Sequence, residues 1–220
     1  MNIAVFGAQG RVGSKVVQIA EKRGHTVIPI DTKDKTSDGC CVCVAKENET
    51  NIANNTIDAV IDFSTAAATQ EVCEFCKCHR CALISGVTGR NKAQQQLIDE
   101  LSTRIPVVNK ANFSAGVSML HKLCEIVAKQ LPDWDCDIVE IHRKGKLDAP
   151  SGTAMSLAST IAQQRNFKRV TTHALRLGSN FGKHEVIFAT NGESLTLTHQ
   201  AETVEIFALG AVVEAEKLVK

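Results

Sequence analysis

The sequence predicts an α/β protein in two parts: a doubly wound parallel-sheet domain, then a smaller α+β domain built on an open mixed sheet. Three observations carry this expectation. Short β-rich apolar runs alternate with amphipathic stretches from the amino terminus to about residue 112, the grammar of βαβ units. A glycine-rich loop, GAQGRVG, stands between the first run and the first amphipathic stretch. Beyond residue 112 two runs of alternating polarity flank Asn191-Gly192, the signature of a hairpin in which both turn residues take positive φ.

The elements follow in order. NIAVF (2–6) is the first strand, GAQGRVG leads into a helix to Arg23, Gly24 ends it, and HTVIPI runs to Asp31 as the second strand. IDAVIDF (57–63) is nearly continuous in apolar residues, as a strand buried on both faces should be. A helical stretch, the strand CALIS (81–85), the turn GVTG, the helix NKAQQQLIDELSTR and the strand IPVVN (105–109) complete the alternation. A helix near 116–130, a strand near 136–142, a cationic loop and a helix from about Gly152 precede the hairpin. The closing VEIFALGAVVEAEKLVK is helical in pattern. The expected division is 1–113, with helix 205–220 packing back on it, and 114–204. The polar tract DTKDKTSDG (31–39) is expected to be a mobile loop.

Composition narrows the function classes. With 44% hydrophobic and 22% charged residues and a formal charge of +1 over 220 residues, the chain has no electrostatic footprint for nucleic acid or membranes. The start, MNIAVFGAQG, lacks the basic region and cleavage site of a signal peptide, so a cytoplasmic protein is expected. Nine cysteines, an odd count, argue against a disulfide framework. CEFCKCHRC (73–81) has ligand-like spacing, but Cys73 and Cys76 are one turn apart on a predicted helix and read as small core residues, so no metal is expected. Trp134, His121 and Cys124 likewise read as core or interface.

The glycine loop carries the first chemical expectation. Gly7, Gly10 and Gly13 follow a strand and open a helix, where close backbone approach lets amides cradle a pyrophosphate. Gly7, Ala8, Gln9, Gly10, Arg11 and Val12 are therefore candidate cofactor contacts. Asp31, at the end of the second strand, is placed to accept hydrogen bonds from ribose hydroxyls. Its charge favours NADH, whereas Arg11 and Lys33 are near enough in sequence to accept a 2′-phosphate, so NADH and NADPH both stay open. Together these features define a Rossmann-like domain. The chain contains no tyrosine, which excludes dehydrogenases that need a Tyr-x-x-x-Lys pair.

The second expectation lies in EIHRKGKLDAPSGTA (140–154). His142, Arg143, Lys144 and Lys146 crowd four cations into five residues. Ser151 is a natural N-cap, and Gly152 and Thr153 then present unpaired amides at the positive end of a helix. Such a start facing cations suits a carboxylate or phosphate. His142 can exchange a proton near neutrality, as can Lys146 if partly desolvated. The residues thus describe a small dicarboxylate held between helix start and cations, while hydride arrives from the nucleotide domain.

These same residues resemble the signature of the 4-hydroxy-tetrahydrodipicolinate (dihydrodipicolinate) reductases, Glu-x-His-His-x-x-Lys-x-Asp-Ala-Pro-Ser-Gly-Thr-Ala. Arg143 stands at the second histidine, where a guanidinium can also bind a carboxylate. GAQGRVG, IDFS (61–64), GVTG (86–89) and ANFSAGV (111–117) resemble further family motifs in family order, as do Arg176, Gly178, Gly182, His184, Val186, Phe188, Glu193 and His199. Val204 replaces a usual arginine, and Lys220 ends the chain before the longer family tail. The resemblance implies His142 as acid/base group and Lys146 as proton donor, with Arg143, Ser151, Gly152 and Thr153 binding substrate. It adds Gly86, Val87, Thr88, Lys110, Ala111, Asn112 and Phe113 to the cofactor contacts. It implies hydride transfer from NADH or NADPH to C4 of a cyclic imine, protonation at C3, and a homo-oligomer, commonly a tetramer. The alternative is a nucleotide-binding regulator or redox sensor on the same fold. Such a protein has no need of the intact His142–Thr153 loop.

Overall fold

A computed structural model describes residues 1–31, 56–164 and 170–219. Most of the polar tract, with Lys33, Cys40, Cys41 and Cys43, lies outside the described residues. The chain divides into two compact units, Met1–Phe113 with Phe207–Lys220, and Ser114–Ile206.

The first unit is built on five parallel strands: β1 (Asn2–Phe6), β2 (Thr26–Ile30), β3 (Ala59–Asp62), β4 (Ala82–Ser85) and β5 (Val107–Asn109). Their order is β2-β1-β3-β4-β5. Side chains alternate between faces along each strand, so each strand feeds two cores. Ala4, Phe6, Ile28, Ile30, Val60 and Leu83 meet helices α2 (Thr69–His79) and α3 (Lys92–Ser102) through Val72, Phe75, Ile98 and Leu101. Ile3, Val5, Ala59, Ile61 and Ile84 meet α1 (Gly13–Lys22) and the last helix, α6 (Glu205–Leu218). Helices on both faces explain why β3 and β4 are buried throughout.

The final helix docks closely because its inner face is small: Ala208, Ala211, Val212 and Ala215 are fully buried. A Cβ on Gly210 would lie 1.8 Å from the Phe113 carbonyl oxygen. Arg23 and His25 reach Glu216 at 2.7 and 2.9 Å, and Lys110 reaches Glu214 at 3.0 Å.

The second unit is a four-stranded mixed sheet of order β7-β6-β8-β9, formed by β6 (Asp135–His142), β7 (Thr171–Arg176), β8 (Lys183–Thr190) and β9 (Glu193–Gln200). β6 pairs parallel with β7 and antiparallel with β8. Helices α4 (Ala115–Gln130) and α5 (Gly152–Gln163) cover one face through Leu120, Cys124, Leu157 and Ile161, against Cys136, Ile138, Val186 and Phe188. His121 Nδ1 bonds Thr160 Oγ1 at 3.0 Å, and Trp134 packs at the edge of this core.

One expectation is corrected, and one strand is added. The hairpin turn pairs Thr190 with Glu193 as expected, but only Gly192 takes a positive φ, 97°. One glycine absorbs the reversal, and Asn191 stays in the ordinary region. Strand β7 carries no clear alternation in TTHALR, and its half-exposed residues explain why the sequence pattern passes over it.

Candidate active site

In the first unit the glycine loop is locked by contact. Gly7 has φ 74° and a Cβ there would meet the Phe63 carbonyl at 2.7 Å. The bonds that close the loop use the amides of Gly7 and Ala8 to Ile30 O, Gly10 to Gly7 O, and Gln9 to the Asp31 carboxylate at 3.0 Å. Those of Arg11, Val12 and Gly13, at the start of α1, make none of these bonds. A cavity of about 390 Å³ lies beside the loop, lined by Gly7, Gln9, Gly10, Asp31, Phe63 and Glu71 among others. Ala8 is buried and Val12 packs at the edge of the core, so only their backbone serves the loop, while Arg11 is exposed. The glycines, the acid and the cavity between them fit the adenosine and pyrophosphate of a dinucleotide.

The 86–89 turn is fixed from within by Arg90. Its Nη1 donates to Val87 O at 3.0 Å and Asn109 Oδ1 at 3.1 Å, and its Nε to Thr69 Oγ1 at 3.0 Å. Nη2 reaches Ser85 Oγ at 2.7 Å and Asp62 Oδ2 at 3.3 Å. Asp62 also accepts from the hydroxyls of Ser85 (2.9 Å) and Ser64 (2.5 Å). One guanidinium therefore ties together the carboxyl ends of β3, β4 and β5, where ligands of open α/β sheets bind. Val87 is buried and Thr88 exposed. Lys110 is committed to Glu214, Ala111 is exposed, and Phe113 is buried edge-on against Phe63 at 5.9 Å.

In the second unit two side chains and one backbone amide converge on Glu140. Alternation on β6 sends Cys136, Ile138, Glu140 and His142 inward, while register sets Arg176 of β7 beside His142 and His184 of β8 beside Glu140. Glu140 is fully buried. Its carboxylate accepts from His142 Nδ1, from Arg176 at 2.7 and 3.0 Å, and from the Ser151 amide at 3.0 Å. These donors hold Glu140 below the usual carboxylate range despite a burial that opposes it. Burial lowers the affinity of His142 for a second proton, with Glu140 pulling the other way. The ring thus rests neutral, its Nδ1–H on Glu140 and its Nε2 lone pair open to chemistry. His184 lies edge-on to it at 5.3 Å and touches Ser151 Oγ at 3.3 Å. Burial and the neighbouring His142 depress His184 to about 4.

The helix start is less bare than the sequence suggests. Ser151 caps α5 as expected, accepting from the Ala154 amide at 3.2 Å. Its own amide is taken by Glu140, and the carboxylate of Asp148, in the loop just before, is held below its usual range chiefly by Lys146. That carboxylate pairs with Lys146 Nζ at 2.8 Å. Of the amides at the helix start, that of Ser151 is thus spent inside the protein, on Glu140. The loop is anchored by Arg143 N to Asn180 O (2.8 Å) and Lys144 N to Gly178 O (3.2 Å).

Glu140, Arg176, His184, Asp148, Asp62 and Arg90 were not singled out as site residues. The available signal was a charged residue on the inward face of a strand, since Glu140 and Asp62 both fall where alternation predicts burial. Cys73, Cys76 and Cys81 are buried and Cys78 exposed. Among the described residues no group of three or more His, Cys, Asp or Glu is placed to hold a metal ion, and no helix is long and apolar enough to cross a membrane.

A glycine loop and acid at the carboxyl ends of a doubly wound sheet, together with a second unit that carries a histidine–carboxylate pair, define a nicotinamide-dependent oxidoreductase of the Rossmann class. Family comparison narrows this. Residues 1–113 match the model "Dihydrodipicolinate reductase, N-terminus" and residues 116–220 match "Dihydrodipicolinate reductase, C-terminus". The chain belongs to the dihydrodipicolinate reductase family, whose cofactors are NADH and NADPH. It is 32% identical over 216 residues to the 4-hydroxy-tetrahydrodipicolinate reductase of Thermosipho africanus (strain TCF52B), covering 98% of this chain and 90% of the relative. It is 36% identical over 232 residues to that of Zymomonas mobilis subsp. mobilis, covering 96% and 89%. Among solved structures, a dipicolinate-bound dihydrodipicolinate reductase from Paenisporosarcina sp. TG-14 superposes with a TM-score of 0.76 at 22% identity, covering 100% of this chain and 96% of that one. At that identity the likeness speaks for the fold alone.

Proposed function

We propose that this chain reduces 4-hydroxy-tetrahydrodipicolinate, by way of dihydrodipicolinate, to tetrahydrodipicolinate with NADH or NADPH, in lysine and diaminopimelate biosynthesis. The observation that carries the reading is the Glu140-centred network, which orders a neutral histidine and a helix start around one buried carboxylate. Residues 1–113 with 205–220 hold the dinucleotide, through Gly7–Val12, Asp31, Lys33, Gly86–Thr88 and Lys110–Phe113. Residues 114–204 hold the substrate.

Each residue has a chemical task. Arg143, Ser151, Gly152 and Thr153 bind the carboxylates, as a helix start beside a cation can. The bound nicotinamide supplies a hydride to C4 of the ring. Lys146 delivers a proton to C3 and is left as the neutral amine. His142 is neutral, so its Nε2 first accepts a proton from solvent and then passes it to the amine of Lys146, with Glu140 stabilising the imidazolium in between. Arg176 keeps Glu140 ionised. The setting is a cytoplasmic homo-oligomer, a tetramer by family resemblance.

The test supplies the condensation product of aspartate semialdehyde and pyruvate, made in situ, and follows nicotinamide absorbance with each cofactor separately. Oxidation that depends on that product is expected. Binding of both cofactors without oxidation of either, by wild type under the same conditions, favours the regulatory alternative instead.

A further inference from the structure

We infer that His184 is a positioning residue for the substrate carboxylate: its Nε2 donates to the Ser151 hydroxyl, which is thereby left to act only as a donor toward the ligand. The inference rests on the reading of Ser151 as a substrate contact. The proposed reaction gives His184 no task, yet it is buried beside the groups that have one. It is 3% exposed, and its ring stands edge-on to His142 at 5.3 Å. A Cβ on Gly182 would lie 3.0 Å from His142 Nε2 and 3.7 Å from His184 Cε1, so both rings border the same space.

Hydrogen-bonding capacity decides the direction of the bond. A serine hydroxyl has one proton and two lone pairs, and a neutral imidazole has one N–H and one bare nitrogen. Burial and the neighbouring His142 keep His184 neutral near pH 7. Ser151 Oγ accepts from the Ala154 amide at 3.2 Å and stands 3.3 Å from His184 Nε2. His184 Nδ1 is buried with no hydrogen-bond partner among the described residues. Were the hydroxyl to give its proton to Nε2, the ring proton would sit on Nδ1, a donor sealed from every acceptor. Buried donors of that kind are rarer than buried acceptors left bare. The proton therefore belongs on Nε2.

Ser151 Oγ then accepts twice, from Ala154 and from His184, and both lone pairs are filled. Its own proton is left over, and no acceptor among the described residues takes it. The Ser151 amide is fixed on Glu140 at 3.0 Å, so the residue is held at both ends and only the hydroxyl proton is free to turn. An ionised carboxylate, which only accepts, completes the set, and the bond from His184 polarises the hydroxyl toward it. A ligand offering an N–H or O–H at the same place meets a second donor.

The first test reads the ring in the unaltered protein. With isotope-labelled histidine, long-range nitrogen–proton spectra at neutral pH are expected to show His184 protonated at Nε2 and bare at Nδ1. The signals are assigned by their loss in His184→Gln or His184→Leu. A proton on Nδ1 overturns the inference. Calorimetric titration of dipicolinate, with NADH present, reads the consequence in wild type, His184→Leu, Ser151→Ala and the double variant. His184→Leu is expected to bind about threefold to tenfold more weakly, with the kinetic loss falling on KM more than on kcat. In the Ser151→Ala background the same substitution should cost nothing further, because its effect passes through the hydroxyl. Costs that add in the double variant, or wild-type binding by His184→Leu, overturn the inference. The parent reading fails separately: if Ser151→Ala binds dipicolinate as wild type does, or wild type does not bind it, Ser151 is no carboxylate contact. Thermal melts establish that each variant is folded, and where His184→Leu is not, the spectrum of the unaltered protein decides.

Discussion

Arg90 and Asp62 form an ion pair closed off from solvent, with Nη2 3.3 Å from Oδ2 and side chains 4% and 1% exposed. Removing one member of such a pair leaves a buried charge without a partner, at a cost of about 3–5 kcal/mol. Arg90→Ala is therefore expected to lower the melting temperature steeply. It also frees the 86–89 turn, so NADH should protect the variant less than wild type. Arg90→Lys keeps the charge but not the fork. It should recover part of the stability and little of the cofactor affinity, as read by melting curves with and without NADH.

Glu140→Gln preserves volume and removes the charge on which His142 rests. Glu140 is the one group raising the histidine's proton affinity against burial. The variant should bring His142 further down, shifting the acid limb of the kcat/KM profile to lower pH. The loss in kcat is expected to be about a hundredfold, while NADH affinity stays unchanged. A pH–rate profile of both proteins checks the direction.

His184 makes stability depend on pH. Its proton affinity is about 4 in the fold and near 6.5 in an unfolded chain. As pH falls below that upper value the unfolded chain takes up a proton that the folded one refuses. The contribution is thus fully present above about 6.5 and is lost as pH approaches about 4, amounting to about 3 kcal/mol. Glu140, depressed by its donors, adds a loss of the same sign at still lower pH. Denaturant unfolding across this range should show the decline, and His184→Asn should flatten its upper part.

Gly182 faces the working nitrogen of the histidine. A Cβ there would stand 3.0 Å from His142 Nε2, at a φ of 149° that other residues rarely adopt. Gly182→Ala is expected to displace the ring and cut kcat by at least about tenfold, with dinucleotide binding intact. Steady-state kinetics beside an NADH titration separates the two effects.

Much of this was legible in the sequence, for physical reasons that differ by region. The parallel sheet could be read because strands buried on both faces are apolar throughout, as in β3 and β4. Gly7 and Asp31 were readable because strand, loop and helix confine what they do. The Asn191-Gly192 turn was located correctly, yet its geometry was not, since either residue can take the unusual φ and Gly192 alone does. Arg90 stayed hidden, and Arg176 fell on the family pattern without a task, because an exposed charge and a buried one look alike until the fold sets the partners. Asp148 sits in the cationic loop, and only the fold shows its carboxylate on Lys146, a contact set by backbone path, which carries no periodicity.

The return of α6 to the first unit has a consequence for biogenesis. Ile3, Val5, Ala59 and Ile61 are made long before their cover, Ala208 to Ala215. Until then one face of the parallel sheet is an exposed apolar surface on a nascent chain. The whole of Ser114–Ile206 is synthesised in that interval. A ribosome stalled or a message cut near residue 204 therefore releases a chain with a complete set of described strands and a sticky sheet, a natural client for a chaperone and a poor monomer.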